Sequence, residues 1–246
     1  MKLAIFSDVH GNLEALTAVL KAVEEEEPDR YIFLGDIVGY GANPNECCKL
    51  VFDVVDMMVL GNHDAACVGK LTLQWFNPVA QAALMWTIEI LDERYLKRLS
   101  KVPYKRKMGE LFFSHALPHR PQSFDYDDNL FNVLTSFEKL SSQVWASFYG
   151  HSHRAIAFAK AREQSSDFKV LPPSDLYLDR DLVYLLNVGS VGQPRDGDPR
   201  ASYAIYDTRK KFFTVKRVEY DVEKAGEKIL KAGLPQVLRD RLLMGM

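Results

Sequence analysis

The chain has 246 residues, a formal net charge of −2 and a sequence pI of about 6.3, so no basic field points to nucleic acid. A hydrophobic fraction of 47% with 26% charged residues is ordinary for a globular protein, and no apolar segment approaches the roughly 18 residues of a membrane span. Cys47, Cys48 and Cys67 form no CxxC pair, and the amino terminus does not resemble a signal peptide. We therefore expect a cytoplasmic protein that does not span a membrane and has no disulfide framework.

Short apolar runs alternate with helical patterns through the first 150 residues. The runs at 3–8 and 31–36 predict strands buried on both faces, and between them Asn12 caps a helix that ends near Glu24. Further helices are predicted from about Pro44, from Pro78 to Leu91, through Leu99 and over 127–140. Further strands are predicted at 54–60, within an apolar run that continues to 64, and at 111–115, 146–153 and 183–190. Residues 100–116 predict a hairpin that turns at Met108, Gly109 and Glu110. This order predicts an α/β fold.

The pattern changes after residue 154. Segments at 155–160, 182–190, 201–207 and 212–221 predict successive, antiparallel strands of a second sheet. Residues 161–181, which include Pro172 and Pro173, predict a surface loop or an irregular crossover. The chain is expected to form a single domain over 1–246 with a helical extension at about 221–246, in which Gly233 and Pro235 separate two helices.

Polar side chains follow the predicted strands, at the point where each strand ends. In open α/β sheets, ligands bind beyond the carboxyl ends of the strands, so these side chains are expected to share one site. His151 and His153, separated by one serine, would lie on the same side of an extended chain. The full set is Asp8, His10, Asp36, Asn62, His63, His115, His151 and His153, which includes five of the six histidines.

Seven of these residues form a mixed oxygen and nitrogen ligand set, and His63 is the one left out. Such a set suits Mn, Zn, Fe, Co or Ni rather than calcium, and it exceeds what one ion takes from protein, so we predict two divalent ions. A pair of ions can hold a hydroxide nucleophile and neutralise phosphoryl oxygens, which predicts hydrolysis of phosphoesters. His63, next to Asn62, is placed to protonate the leaving group as a general acid, or alternatively to orient its neighbours. A single structural ion is a further alternative.

The ordered motifs DVHGN (8–12), GD (35–36), GNHD (61–64), SH (114–115) and GHSH (150–153) resemble the calcineurin-like metallophosphoesterases. The resemblance implies a four-layer αββα sandwich, with two mixed β-sheets flanked by helices. It also implies that Asp8, His10, Asp36 and His153 hold one ion, and that Asp36, as the bridge, holds the second ion together with Asn62, His115 and His151. The segments 35–46 and 187–207 resemble a bacterial and archaeal branch of predicted phosphodiesterases that is related to diadenosine tetraphosphatases.

The chain departs from some members of this family at the positions that grip phosphate. Serine/threonine phosphatases and symmetrical diadenosine tetraphosphatases carry one arginine before GNH and another after GD. Here Leu60 occupies the first position and Gly39-Tyr40-Gly41 the second region. Arg195 is the nearest cationic candidate, so Arg195 and Tyr40 join Asn62 and His63 as predicted substrate contacts. The alternatives are an Arg195 exposed to solvent and a Tyr40 that only packs.

Together these patterns predict a metal-dependent phosphodiesterase that hydrolyses small or nucleotide-like phosphodiesters by attack of a metal-bound hydroxide. The alternatives are a phosphomonoesterase or protein phosphatase, and a non-catalytic interaction module similar to the retromer subunit of this superfamily. That subunit lacks the histidine beside the asparagine ligand, which this chain has as His63. His119 is expected at the surface, and Trp75, Trp86 and Trp145 are expected to pack.

Overall fold

A computed structural model describes residues 1–162 and 167–246. The strands in these ranges are β1 (Lys2–Phe6), β2 (Arg30–Phe33), β3 (Met57–Met58), β4 (Lys105–Met108), β5 (Leu111–Ser114), β6 (Ala146–Tyr149), β7 (Ala155–Ala161), β8 (Phe168–Leu171), β9 (Leu176–Tyr177), β10 (Leu182–Val188), β11 (Ala201–Asp207) and β12 (Phe212–Val218). The helices are α1 (Leu13–Glu24), α2 (Pro44–Val54), α3 (Asn62–Cys67), α4 (Pro78–Ile90), α5 (Glu93–Leu99), α6 (Leu130–Lys139), α7 (Val222–Lys231) and α8 (Gln236–Met244), with a 3-10 turn at Leu73–Trp75.

The strands form two six-stranded sheets, in the orders β3-β2-β1-β11-β12-β9 and β4-β5-β6-β10-β7-β8. In the first sheet β1, β2 and β3 are parallel, and in the second β5, β6 and β10 are parallel. The other neighbours are antiparallel, so both sheets are mixed. The carboxyl ends of the parallel strands are followed by the polar side chains that the sequence singled out.

Apolar residues of β1 alternate between two cores because successive side chains of a strand point to opposite faces. Leu3 and Ile5 belong to the core between the two sheets, whereas Ala4 and Phe6 pack with residues of α1 and α2 on the outer face. On the far side, β6, β7 and β10 pack against α6 through a third cluster that contains Val133. The layers are helix, sheet, sheet and helix, which confirms the predicted four-layer sandwich.

Most of the predicted helices are confirmed with small shifts of their ends. Asn12 caps α1, since its side chain accepts a hydrogen bond from the N–H of Ala15 at 3.1 Å. The predicted helices near Pro44, from Pro78, through Leu99 and over 127–140 correspond to α2, α4, α5 and α6, the last of which begins at Leu130. The hairpin is β4 and β5, with Gly109 in its turn. In the described part of the chain, no helix combines the length and apolarity needed to cross a membrane.

The assignment of the late strands to a separate sheet is wrong. β7 and β10 lie in one sheet with β4, β5 and β6, whereas β11 pairs with β1 and carries β12 into the other sheet. Alternation and burial identify a strand, but pairing depends on contacts between segments that are far apart in the sequence. A local pattern does not encode those contacts.

Two further assignments need correction. The segment 161–181, predicted as a loop, contains β8 and β9; its residues 163–166 lie outside the described residues. The strand predicted at 54–60 is only Met57–Met58, and helix α3 begins at Asn62. Both helices of the predicted extension form, and Ala225, Ile229 and Leu238 join the core on α1, so α7 and α8 pack onto the sandwich.

Candidate metal centre

The side chains predicted to bind metal meet where the parallel strands of both sheets end. Asp8 Oδ1 lies 3.2 Å from His153 Nε2 and 3.8 Å from His10 Nε2. Asp36 Oδ2 lies 3.2 Å from His115 Nε2 and 3.8 Å from His10 Nε2. Two more atoms lie near His115 Nε2, namely Asn62 Oδ1 at 3.1 Å and His151 Nδ1 at 3.2 Å. The structure therefore brings all seven predicted ligands together, and their role as ligands stays a prediction.

Backbone carbonyls set the tautomers of three of the imidazoles. The Nδ1 atoms of His10, His115 and His153 lie 2.9, 2.8 and 2.6 Å from the carbonyl oxygens of Val38, Leu34 and Gln193. A carbonyl oxygen can only accept, so each Nδ1 carries a proton, and each ring, when it is neutral, points an Nε2 lone pair inward. His10 Nε2 and His153 Nε2 are only 3.1 Å apart, an arrangement that two lone pairs tolerate when a cation lies beside them.

In each carboxylate, one oxygen accepts a backbone hydrogen bond and the other faces the imidazole rings. Asp8 Oδ2 accepts the N–H of His151 at 3.0 Å, and Asp36 Oδ1 accepts the N–H of His63 at 2.9 Å. The remaining oxygens, Asp8 Oδ1 and Asp36 Oδ2, face the inward Nε2 atoms. Backbone donors therefore orient both carboxylates before any ligand binds.

Buried atoms without partners test whether cations fit this place. Asp8 Oδ1 and His151 Nε2 are buried and accept or donate no hydrogen bond to any described residue. An uncompensated buried carboxylate oxygen is costly, and coordination removes that cost. Carboxylate, imidazole and carboxamide donors together suit divalent transition metals, so the residues fit the two ions that the sequence predicts.

The protonation states agree with a ligand role. Burial lowers the pKa of His10 to about 3 and lowers the pKa of His153 well below its usual range, so both rings are neutral at pH 7. Burial also opposes protonation of His115, but the charges of Asp36 and Asp8 outweigh it and raise the pKa of His115 to about 9. A divalent cation between the same carboxylates competes with that proton.

The backbone around the centre is unusual. Asp8, His10, Asp36, His151 and His153 all have positive φ, between 49° and 67°. The expectation that His151 and His153 continue an extended strand is wrong, because β6 ends at Tyr149 and both residues adopt left-handed backbone conformations. Their rings consequently reach different atoms, His151 lying at His115 and His153 at Asp8 and His10. Strained backbone of this kind concentrates at functional sites.

His63 lies against the centre rather than outside it. Its ring centroid is 4.7 Å from that of His10 and 4.5 Å from that of Tyr40, and it has a nitrogen within 4.8 Å of ligand atoms of His10 and Asp36. His63 is 3% exposed, and its Nδ1 has no hydrogen-bond partner among the described residues. Burial lowers the pKa of His63 well below its usual range, so the ring is neutral in the free protein.

Arg195 and Tyr40, the other two predicted substrate contacts, also lie at the centre. The N–H of Arg195 donates to the carbonyl of His153 at 3.0 Å, and its guanidinium donates to Gln193 Oε1 at 2.7 Å. The guanidinium carbon is 5.8 Å from the ring centroid of Tyr40. Tyr40 is 7% exposed and its ring lies 4.6 Å from that of His10. Arg195 is thus held beside the ligands, and Tyr40 packs on them.

Two buried aspartates that position the ligands were not recognised from the sequence. Asp64 accepts the N–H groups of Asp36 at 2.8 Å and Ile37 at 3.0 Å, and thereby shapes the loop that carries Asp36. Asp127 accepts hydrogen bonds at 3.0–3.1 Å from Tyr149, Ser152 and Asn187, and so holds the serine between His151 and His153. Asp64 is the last residue of the GNHD motif, which could have revealed it; no motif or spacing points to Asp127.

Asp64→Ala is expected to lower the free energy of unfolding by about 3 kcal/mol, because it removes the acceptor of the two short bonds from the N–H groups of Asp36 and Ile37 and of two longer ones from Val38 and Gly61. Asp64→Asn keeps one oxygen acceptor and should lower the free energy of unfolding less than Asp64→Ala does. Urea denaturation of both variants measures the difference. Equal stability of Asp64→Ala and the wild type would contradict the positioning role.

Gly61→Ala is expected to weaken metal binding by about 10- to 100-fold. The φ of −86° and ψ of 174° at Gly61 are open to alanine, so the cost of the change comes from the contacts of the added Cβ, which include the backbone nitrogen of Asp36. A Cβ at this position would overlap the carboxylate of Asp36 and push it out of place. Calorimetric titration with Mn²⁺ measures the affinity, and an unchanged dissociation constant would contradict this geometry.

Other side chains of the sequence analysis are placed as follows. The surface position predicted for His119 is wrong, since its side chain is 3% exposed, pairs with Asp125 at 2.9 Å and bonds Ser136 on α6 at 2.8 Å. The cysteines are free and buried. Trp145 is buried and Trp86 packs on the outer core, as predicted, but Trp75 is 45% exposed.

A mixed two-sheet sandwich that gathers carboxylates, imidazoles and a carboxamide beyond its parallel strands defines the class of metal-dependent hydrolases. Residues 1–187 match the calcineurin-like phosphoesterase family. The chain belongs to this family and is a metal-dependent phosphoesterase, which confirms the resemblance seen in the motifs. Members of the family use divalent metals.

Individual relatives cover the whole chain. An uncharacterized protein of Methanocaldococcus jannaschii is 41% identical over 252 residues, which span 99% of this chain and 98% of the relative. The crystal structure of a metallophosphoesterase from Sphaerobacter thermophilus is similar at 37% identity with a TM-score of 0.84, covering 100% of this chain and 99% of that one. A hypothetical protein from Pyrococcus horikoshii OT3 shares the fold, with a TM-score of 0.77 at 21% identity over 100% and 98% of the two chains.

Proposed function

We propose that the chain is a cytoplasmic phosphodiesterase that hydrolyses small or nucleotide-like phosphodiesters with the help of two divalent transition-metal ions, such as Mn, Zn, Fe, Co or Ni. One observation carries the proposal. Three imidazole rings whose Nδ1 atoms are held by backbone carbonyls direct their Nε2 atoms towards Asp8 Oδ1 and Asp36 Oδ2, and His63 lies beside this point.

The ligands divide into two groups that share Asp36. Asp36 Oδ2 lies 3.2 Å from His115 Nε2 and 3.8 Å from His10 Nε2, so it reaches rings of both groups, as the bridging role requires; Asp8 Oδ1, at 3.8 Å from both rings, shares this property. When bound, two divalent ions supply a water of lowered pKa and neutralise the charge of the phosphoryl oxygens. One group is Asp8, His10, Asp36 and His153, and the other is Asp36, Asn62, His115 and His151.

His63 gives the departing alkoxide its proton. A general acid must be protonated, and burial keeps His63 neutral in the free chain. The negative charge of a bound phosphoester stabilises the imidazolium and raises that pKa, so His63 gains its proton as substrate binds. Its ring is held by the rings of Tyr40 and Phe76, at 4.5 and 5.0 Å, which keeps it beside the ligands.

Arg195 and Tyr40 bind the phosphoryl group. The Arg195 guanidinium, oriented by Gln193 Oε1, provides the positive charge that the chain lacks at Leu60. Tyr40 is 7% exposed and so has less freedom to move than Arg195, and its hydroxyl, the one polar group of its side chain, would make the contact with substrate. Asn62, at the N-terminus of α3, belongs to the second ligand group and is followed directly by His63.

The test is turnover of bis(p-nitrophenyl) phosphate and p-nitrophenyl phosphate by chelated protein reloaded with each metal, followed by cyclic nucleotides, dinucleoside polyphosphates and phosphopeptides. We expect the diester to be preferred, and Arg195→Ala to raise KM while Arg200→Ala, a half-exposed arginine paired with Asp198, changes nothing. Preference for monoesters or phosphopeptides would favour a phosphatase. Folded, metal-loaded protein that turns over no phosphoester would favour an interaction module.

A further inference from the structure

Two exposed aromatic side chains stand at the rim of the metal centre. Trp75 is 45% exposed and Tyr126 is 39% exposed. A single exposed aromatic residue needs no explanation, but Trp75 packs on the buried ring of Phe124, which contacts His115 and His151, and Tyr126 packs on His151 itself. Their position beside the centre points to contact with substrate.

Trp75 is one ring removed from the predicted acid. Its indole stands edge-on to the rings of Phe76 and Phe124, with centroids 5.2 and 6.3 Å away. Phe76 in turn stands edge-on to His63 at 5.0 Å. Phe76 and Phe124 are 8% and 2% exposed, so buried rings hold the indole from below while nearly half of its surface faces solvent. This is a rigid platform next to His63.

Tyr126 occupies the other side. Its ring lies 4.2 Å from that of His151, and it lines a cavity of about 350 Å³ together with Ser152, Arg154 and Arg195. The cavity beside this ring and the two guanidinium groups has room for one ester group of a substrate. Exposed aromatic rings therefore stand at two places on the rim, at Trp75 and at Tyr126.

A phosphodiester has two ester groups, and a general acid must touch the oxygen of the one that leaves. Ring contacts connect Trp75 to His63 through Phe76, whereas Tyr126 contacts His151, so the leaving group is placed towards Trp75 and the retained ester group towards Tyr126. We infer that Trp75 stacks on the leaving group, and that the substrate carries a planar aromatic or heteroaromatic ring there. This inference rests on the proposed phosphodiesterase function and deepens it, because it assigns an orientation to the substrate.

Stacking of a planar ring on a tryptophan is worth enough to change kcat/KM by about tenfold when the indole is removed. The decisive substrates are bis(p-nitrophenyl) phosphate and methyl p-nitrophenyl phosphate, which share the leaving group and differ in the retained group. Trp75→Ala should lower kcat/KM for both by the same factor of about ten. Trp75→Phe should recover most of the loss. Tyr126→Ala should affect the bis-aryl substrate more than the methyl one.

The matched control is Tyr177→Ala, which removes an aromatic ring that is 76% exposed on β9 and should change neither substrate. A second measurement avoids turnover: p-nitrobenzylphosphonate, which has no ester bond, should quench tryptophan fluorescence in the wild type and much less in Trp75→Phe. Unchanged kinetics of Trp75→Ala, or a loss confined to the bis-aryl substrate, would overturn the inference. Absence of turnover in the metal-loaded wild type would instead overturn the proposed function.

Discussion

Asp36→Asn is expected to abolish binding of both ions and to lower kcat/KM for bis(p-nitrophenyl) phosphate on the order of 10³-fold. The substitution keeps the size of the side chain and the Oδ1 acceptor for the N–H of His63. It removes the charge of Oδ2, which faces His115 and His10 at 3.2 and 3.8 Å. Metal analysis after dialysis against Mn²⁺ should find two ions per chain in the wild type and none in the variant.

Stability provides an independent measurement of the same change. Ions that bind only the folded chain stabilise it, so the chelator EDTA should lower the Tm of the wild type and leave that of Asp36→Asn unchanged. Without metal the stabilities of the two chains should differ little, because the substitution removes both the repulsion of Asp36 with Asp64 and Asp8 and its pairing with the charged His115. The control is Asp53→Asn, an aspartate whose side chain is 53% exposed and which should behave as the wild type. Retention of two ions by Asp36→Asn would contradict the bridging role.

His63→Asn is expected to lower kcat by about 10²- to 10⁴-fold while both ions stay bound. His63 contributes a proton in the proposed mechanism, so its loss should be smallest with substrates whose leaving group is already acidic. Comparison of p-nitrophenyl with phenyl leaving groups measures this dependence. The acidic limb of the kcat profile against pH, which reports the protonation of other groups, should remain when the basic limb disappears.

The metal content of His63→Asn separates two readings of the geometry. His63 has a nitrogen within 4.8 Å of atoms of His10 and Asp36, which is also compatible with direct coordination. A general acid leaves two ions per chain after substitution, whereas a ligand leaves fewer. A variant with one ion per chain, or one whose loss is equal for both leaving groups, would contradict the role as acid.

Much of the centre follows from local sequence. Apolar runs that end at Asp8, Asp36 and His115 identify buried strands and the polar residues at their carboxyl ends, because alternation, burial and turn chemistry act over a few residues. The convergence of the seven predicted ligands follows from that rule, and the departure at Leu60 directs attention to Arg195. These features depend on neighbours in the sequence, and the sequence displays them directly.

The sequence predicts which segments form strands better than it predicts which strands pair. The sequence predicts β11 as a strand but assigns it to the wrong sheet, because its antiparallel partner β1 lies about 200 residues away. The sequence does not predict the helix α3, because its six residues are stabilised by the hydrogen bonds that Asp64 accepts from the N–H groups of Gly61 and Asp36 rather than by an apolar period. The burial of His119 depends in the same way on Asp125 and on Ser136 of a later helix.

The sequence by itself determined the fold class, the family and the residues that meet at the centre, because each is written in short motifs and in the period of the apolar residues. Only the tertiary structure decided the left-handed backbone of His151 and His153, the tautomers set by Val38, Leu34 and Gln193, and the exposure of Trp75. Each of these is a contact or a strain imposed by segments distant in the chain, and the free energy of such contacts exists only once the sheets have packed.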